Sequence, residues 1–427
     1  MIGAGAAGLA AASRLADAGL SVRILEARDR VGGRIYSLHE PRLPVAIELG
    51  AEFVQGTPAV TLDLAREAGL LLYEPNGSAW RMANGRMQGA STARHGHNAL
   101  FEALATRRLA ADCSLAEFAQ CVQTPDNDRA LYWINAYDAA DPSEISARAL
   151  VRQHRAEAAN HEDHIFRLPL GYGGVLAGLH AALANDAVVC HAIVASVAWT
   201  PGQVDVTLVD GRTFSAERIV VAVPLPVLQH DIAFDPPLDE KQRAMRLLRM
   251  GSVIKVAAVF DEPFWWTRDQ ASMGWLETGS PAFQVWWTTY PVIAPVLVGW
   301  CGGPAAAELA RLSDEEIESC AVRNLVSLFG RRAERRLVGV HVHNWQADPF
   351  AGGAYSYVGV GGLRAQRALA QPVADTLFFA GEATEFTGHH ATVHGAIATG
   401  YRAAAEVLAA RGTRGAAAPV VRHTPSG

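Results

Sequence analysis

Six residues near the start of the chain, Gly3-Ala4-Gly5-Ala6-Ala7-Gly8, constrain its fold more than any other segment. They stand between an apolar pair, Met1-Ile2, and a small-residue stretch with helical spacing (LAAASRLADAG). An apolar strand is predicted next, over 21–25. Strand, glycine turn, helix and strand in that order lift GxGxxG above a chance glycine cluster. Gly3 permits a tight turn, Gly5 lets the backbone approach a pyrophosphate, and Gly8 lets helix and strand pack closely. The helix N-terminus offers free N–H groups and a partial positive charge to phosphates. Glu26 ends the second strand 18 residues past Gly8. A carboxylate there would accept hydrogen bonds from a ribose and repel a 2′-phosphate. Six such residues alone also fit the start of a Gly/Ala-rich helix, a reading that Glu26 in register disfavours.

Only two residues precede Gly3, where a buried strand of about five or six is usual. Losing a central parallel strand would leave backbone unpaired on both neighbours, so a start site assigned too late is expected. No signal peptide precedes the motif, and no stretch reaches the roughly 20 apolar residues that span a bilayer. With 427 residues, half of them hydrophobic and 19% charged, the composition is globular and predicts two or three domains. A net charge of −6 supplies no basic field for nucleic acid or an anionic membrane. The five scattered cysteines form no CxxC pair, which predicts a reduced, cytoplasmic protein without disulfide framework or zinc site. The 37 basic residues include only two lysines, Lys241 and Lys255. A lysine inside an apolar segment of such a chain calls for a reason.

After Glu26 comes Ala27-Arg28-Asp29-Arg30-Val31-Gly32-Gly33-Arg34, a second glycine pair beside cations suited to phosphate. Glu48-Leu49-Gly50-Ala51-Glu52-Phe53 looks like backbone passing beside a planar ring. With these motifs in this order the sequence resembles the flavin-containing amine oxidases: monoamine oxidases, polyamine oxidases and the related histone lysine demethylases. The likeness extends over nearly the whole chain, through Val220–Leu225, Gly251–Val256, Trp345–Phe350 with Gly353–Tyr357, Phe378–Thr384 and Ala391–Ala396.

The resemblance implies an α/β fold: a Rossmann-like FAD domain over 1–75, 171–245 and 355–412, interleaved with an α+β substrate domain over 76–170 and 246–354. The first substrate segment is expected to be largely helical and the second to supply a mixed sheet, with 413–427 a flexible tail. Val204–Leu208, Gly211 and Thr213 predict a hairpin. The cofactor implied is FAD, not NAD, held by Gly3, Gly5, Gly8, Glu26, Arg28, Gly33, Arg34, Gly50, Ala51, Glu52, Phe53, Val194, Gly381, Glu382, Thr392 and Val393. Ala354 stands where monoamine oxidases carry the flavin-linking cysteine, so non-covalent FAD is expected. A helix starting at Thr392 or Val393 would aim its N-terminus at the flavin pyrimidine and stabilise negative charge there.

Lys255 sits in an apolar, β-branched run (SVIKVAAVF) that reads as a buried strand. Burying an unpaired ammonium is costly, so a lowered proton affinity or a water partner is expected. The bland alternative is a lysine snorkelling from a strand edge. By resemblance, Lys255 holds a water that aids reoxidation by O2. Tyr355 matches the aromatic wall before the flavin, Trp345 packs on its edge, and Thr392 falls where monoamine oxidases carry a second aromatic. Gln55 replaces the histidine typical of polyamine oxidases.

His389-His390 invites a metal reading, but no third ligand stands at a recognisable spacing, so a loop lining the substrate entrance is expected. His341 and His343 read as one exposed strand face. Of Trp286 and Trp287, at most one can line a substrate tunnel. Glu52, Asp348 and Glu385 are candidates for attracting a second ammonium group. The function expected is oxidation of a primary or secondary amine, with O2 reduced to H2O2. An amino-acid oxidase, a desaturase-type dehydrogenase and a catalytically idle flavoprotein are the alternatives. The demethylase branch is disfavoured, because the chain has no room for a long helical arm and no basic tract for chromatin. Small amines and O2 are the partners expected, with neither nucleic acid nor a membrane anchor.

Overall fold

The computed structural model describes residues 1–90, 99–107, 109–125, 127–267 and 270–415. Its glycine motif lies at the centre of a parallel sheet. Ile24–Leu25 pairs with Val188–Val189, and Ile219–Val221 pairs with Leu377–Phe379. Ile2 bridges in parallel to Leu25 on one side and Val221 on the other. The short first strand is thus paired on both edges: Ile2 N donates to Val220 O at 3.0 Å and Gly3 N to Leu25 O at 2.8 Å. The strands follow one another in space as third, second, first, fourth and fifth in sequence, the doubly wound order. Its switch point falls between the Gly3 turn and Ala222, where open α/β sheets bind ligands.

Close packing explains the small residues. A Cβ on Gly8 would stand 2.0 Å from Gly3 O, and one on Gly400 would stand 2.2 Å from Ala7 O. Helices Ala6–Asp17 and Val393–Gly415 therefore meet almost backbone to backbone. The C-terminal helix runs through 413–415, which the sequence assigned to the tail; 416–427 lie outside the described residues. The expected hairpin is present, with Gln203–Leu208 paired to Thr213–Ala216.

A second, seven-stranded sheet is mixed. Its order is Leu337–Asn344, Val253–Phe260, Val296–Gly302, Val285–Trp287, Met273–Glu277, Ser78–Ala83 and Arg86–Ala90. Only the contact between Met273–Glu277 and Ser78–Ala83 is parallel. The last two strands correct the expectation of a largely helical 76–170. Asn84 and Gly85 take φ of 52° and 72°, the left-handed pair of a two-residue hairpin turn. The same region does hold four helices, Ala99–Thr106, Leu115–Cys121, Asn127–Ala136 and Ala147–Ala159. Every residue of Val253–Phe260 is buried, because both faces are covered: Ile254, Val256 and Ala258 pack against helix Asp314–Phe329, and Ala257 and Val259 pack toward Ile47 and Leu49. Burial on both faces accounts for a run that does not alternate. Among the described residues no helix is long and apolar enough to cross a membrane.

Candidate active site

A cavity of about 1550 Å³ joins the glycine turn of the first sheet to the faces of the second. Drug-sized ligands occupy about 300–1,000 Å³, so a dinucleotide and a substrate fit together in this volume. Every residue assigned from sequence to the cofactor or to catalysis lines it, except Gly8, whose part is the packing just described. At the glycine end the wall includes Gly3, Gly5, Glu26, Arg28, Val194 and Gly381. Gly33, Arg34, Gly50, Ala51, Phe53 and Glu382 continue it toward Lys255, Trp345, Tyr355, Thr392 and Val393.

The glycines test whether a dinucleotide fits. A Cβ on Gly5 would find no protein atom nearer than Gly32 O at 4.0 Å. One on Gly381, at φ +115°, would find none nearer than Val223 O at 3.9 Å. Protein packing does not fill the space before Gly5, as a dinucleotide running against that backbone requires. Glu26 is buried and spans the turn, accepting from Ala4 N at 2.7 Å and Arg28 N at 2.9 Å. A carboxylate has about four acceptor sites, which leaves capacity for ribose hydroxyls. Gly32 N donates to Ala4 O at 2.9 Å, so the second glycine pair buttresses the first turn.

The arginines of the second glycine motif are fixed by carboxylates. Arg28 is paired to Asp348 at 2.6 Å, and Arg34 to Glu382 at 2.9 Å. Each guanidinium has five N–H donors and lies on the same cavity wall as the start of the first helix, whose backbone N–H groups suit phosphate. Glu382 also takes the Ser356 hydroxyl at 2.7 Å and Ala391 N at 3.2 Å. Its carboxylate is a tie between segments of the cavity wall. Thr392 is likewise committed: its hydroxyl donates to His389 O at 2.7 Å and accepts from Gly395 N at 3.0 Å. It caps the C-terminal helix.

Lys255 is 1% exposed. The fold supplies a counter-charge. Nζ donates to Glu52 Oε2 at 2.6 Å and to Gly50 O at 3.0 Å. Glu52 also pairs with Arg167 and accepts from Trp287 Nε1 at 3.0 Å. Burial alone would raise the Glu52 carboxyl, but Arg167 and Lys255 hold it below the usual glutamate value. The result is two fixed cations around one carboxylate in a water-poor wall. Trp345 is buried beside them, with Nε1 donating to Leu49 O at 2.9 Å. Tyr355 donates its hydroxyl to Tyr137 O. Trp287, Trp275 and Trp300 face the cavity, whereas Trp286 is fully buried in the core, bonded to Asn324 at 2.7 Å.

None of the three carboxylates proposed for a second ammonium is available. Glu52 and Asp348 are in ion pairs, and Glu385 folds onto Thr387 N, Gly388 N and His389 N. His341 and His343 are half-buried instead of exposed, near Glu40 at 3.6 Å and Asp348 at 3.2 Å. The acidic wall lies in the helical segment: Asp138, Glu157 and Glu162 line the cavity. Gln153 Nε2 bridges Asp138 at 2.7 Å and Glu157 at 2.9 Å. Burial, then Asp138, pushes Glu157 up to about 8, and burial pushes Asp138 up to about 6. Glu157 is 27% exposed and lies on the cavity wall. Sequence alone carried no signal for these residues, because acidic residues in a charged, helix-rich segment read as solvated surface.

Residues 6–86 and 90–408 match the family described as flavin containing amine oxidoreductase. The chain is similar to the peroxisomal N(1)-acetyl-spermine/spermidine oxidase of Homo sapiens, 30% identical over 96% of this chain and 94% of that protein. It is also 30% identical to lysine-specific histone demethylase 1 homolog 2 of Oryza sativa subsp. japonica, over 97% of this chain. There the chain spans only 57% of the relative's length. A solved putrescine oxidase bound to putrescine superposes with a TM-score of 0.81 at 26% identity, over 96% of this chain and 98% of that one.

Proposed function

From the premise that this chain belongs to the flavin containing amine oxidoreductases and is an FAD-dependent amine oxidase, we propose that its substrates are small diamines or polyamines. The observation that carries this reading is the continuity of one cavity from Gly5, past the Lys255–Glu52 pair, to the chamber walled by Asp138, Glu157 and Glu162. FAD bound along the glycine end would accept a hydride from the carbon bearing the amine and deliver the electrons to O2 as H2O2. The chain's own residues position the reactants. Tyr355, Trp287 and Trp300 offer aromatic faces to the amine end. The acidic chamber attracts a distal ammonium, as the putrescine bound to the related oxidase would need. None of the five cysteines lines the cavity, and Ala354 does, which supports FAD held without a thioether link.

An amino-acid oxidase needs a cation for the substrate carboxylate. Among the described residues the arginines on the cavity wall are Arg28 and Arg34, both paired to carboxylates and neither among the residues of the acidic chamber. This disfavours that alternative.

Glu157→Gln tests the substrate class. Its KM for a diamine is expected to rise about 10-fold while KM for a monoamine of similar length stays within about 2-fold, the loss of one charge-assisted contact. With the wild-type carboxyl near 8, the charged form grows as pH rises from 7 to 9. The ratio of diamine to monoamine KM should fall over that range in the wild type and stay flat in the variant. Equal effects on both amines would place the distal ammonium elsewhere.

A further inference from the structure

One wall of the chamber joins Glu162 to two histidines that amine oxidation does not use. Glu162 sits in the turn between helix Ala147–Ala159 and strand Ile165–Arg167; His389 is in the loop before the C-terminal helix, and His394 is in that helix's first turn. Their ligand atoms lie within 4.8 Å of one another, the one such group among the described residues. His389 Nδ1 is 3.4 Å and His394 Nε2 is 3.6 Å from the same oxygen, Glu162 Oε1. Both nitrogens are buried without a hydrogen-bond partner, and His394 is 6% exposed. From these observations we infer that Glu162, His389 and His394 form a binding site for one divalent transition-metal cation of the zinc class.

The spacing suits that ligand. Bonds of about 2.0–2.1 Å at tetrahedral angles separate ligand atoms by roughly 3.4 Å. A simple ion pair accounts for less. Glu162 Oε1 already accepts from Asn160 Nδ2 at 2.8 Å, so one oxygen would have to serve an amide and two imidazoles. A cation uses one lone pair of that oxygen and one from each ring, and Asn160 then orients the carboxylate from outside. Glu385 fixes the His389 backbone, accepting from its N–H at 2.7 Å. Glu162 also lies on the cavity wall, which gives water a route to a fourth position. The bound ion ties the turn at Glu162 to the start of the C-terminal helix. Neither histidine spacing nor the distant Glu162 marks this site in the sequence, which is why the His389-His390 pair alone suggested no metal.

The test uses flavin-loaded protein purified without a polyhistidine tag, stripped with EDTA and titrated calorimetrically with ZnCl2. One Zn2+ per chain is expected, with Kd on the order of 1 μM or tighter, and a melting temperature raised about 3 °C at 100-fold excess over Kd. His389→Gln and His394→Gln should each weaken binding about 100-fold, while His180→Gln, an exposed histidine elsewhere, leaves it unchanged. If His394→Gln fails to fold, His389→Gln in its half-buried loop carries the comparison. No saturable binding below about 100 μM, or binding that survives His389→Gln unchanged, overturns the proposal. The readout needs no amine turnover, so its failure leaves the proposed substrate class standing.

Discussion

Lys255→Met is expected to lower kcat/KM for O2 by about 10²-fold, the usual scale for removing one fixed electrostatic partner from a water-excluded site. Methionine nearly preserves the side-chain volume and removes the charge together with its two hydrogen bonds. In the wild type that charge is locked between Gly50 O at 3.0 Å and Glu52 at 2.6 Å, on the wall of the groove. Little reorganisation is needed when negative charge develops nearby, and the low dielectric leaves it weakly screened. Arg167 still balances Glu52 in the variant, so fold and flavin content should persist. Stopped-flow measurement of O2 consumption at fixed amine reads the effect; kcat/KM for the amine should move less than about 10-fold. An unchanged O2 dependence removes Lys255 from the oxidative half of turnover.

Glu52→Gln should be the most destabilising polar substitution in the cavity wall. It leaves Lys255 and Arg167, both nearly fully buried, facing each other without a counter-charge. Breaking a buried pair from one side costs about 3–5 kcal/mol, because the uncompensated charge stays desolvated. Denaturant or thermal unfolding of the loaded protein measures it. The sign with pH follows from the depressed Glu52 carboxyl, where burial is overcome by Arg167 and Lys255. Its contribution is full above the ordinary glutamate value of 4.5 and is lost as pH falls through the lower native value. Wild-type stability should therefore drop in acid along a limb that Glu52→Gln lacks. Combining Glu52→Gln with Lys255→Met should cost less than the two singles summed, since the second change removes one of the stranded cations. Strict additivity would mean that the two side chains do not act as a pair.

Local chemistry made much of this site legible before the fold was known. A glycine turn and Glu26 a fixed distance on are backbone requirements of a βαβ unit, so they survive as sequence pattern. Lys255 stood out because a charged residue in a strand buried on both faces must be satisfied by something. That something was not legible. Glu52 is 203 residues away, and its own motif assigned it to the cofactor and not to the lysine. Lys241 is a parallel case. It is buried, with Nζ donating to Ala368 O at 2.8 Å and Leu369 O at 2.9 Å at the end of helix Ala365–Ala370. Both lysines of the chain are thus interior, and only the fold shows what each binds. The hairpin at Asn84-Gly85 carried a readable turn signal that the charged, helix-like composition around it outweighed. Thr392 three residues before Gly395 had the spacing of a helix cap, but the resemblance drew it toward the substrate. The acidic chamber had no signal at all, because Asp138 and Glu162, beyond the helix ends, meet Glu157 only after the helices pack.

The central claim is that the space before Gly5 belongs to a dinucleotide whose flavin end lies beside Lys255. Gly5→Asp tests it most directly, because no protein atom lies within 3.9 Å of a Cβ placed there. The wild-type protein should carry one flavin per chain, all of it released as free FAD on heat denaturation. Gly5→Asp should melt cooperatively yet retain less than about a tenth of the flavin, since its carboxylate meets the pyrophosphate. Full flavin content in Gly5→Asp would contradict the claim.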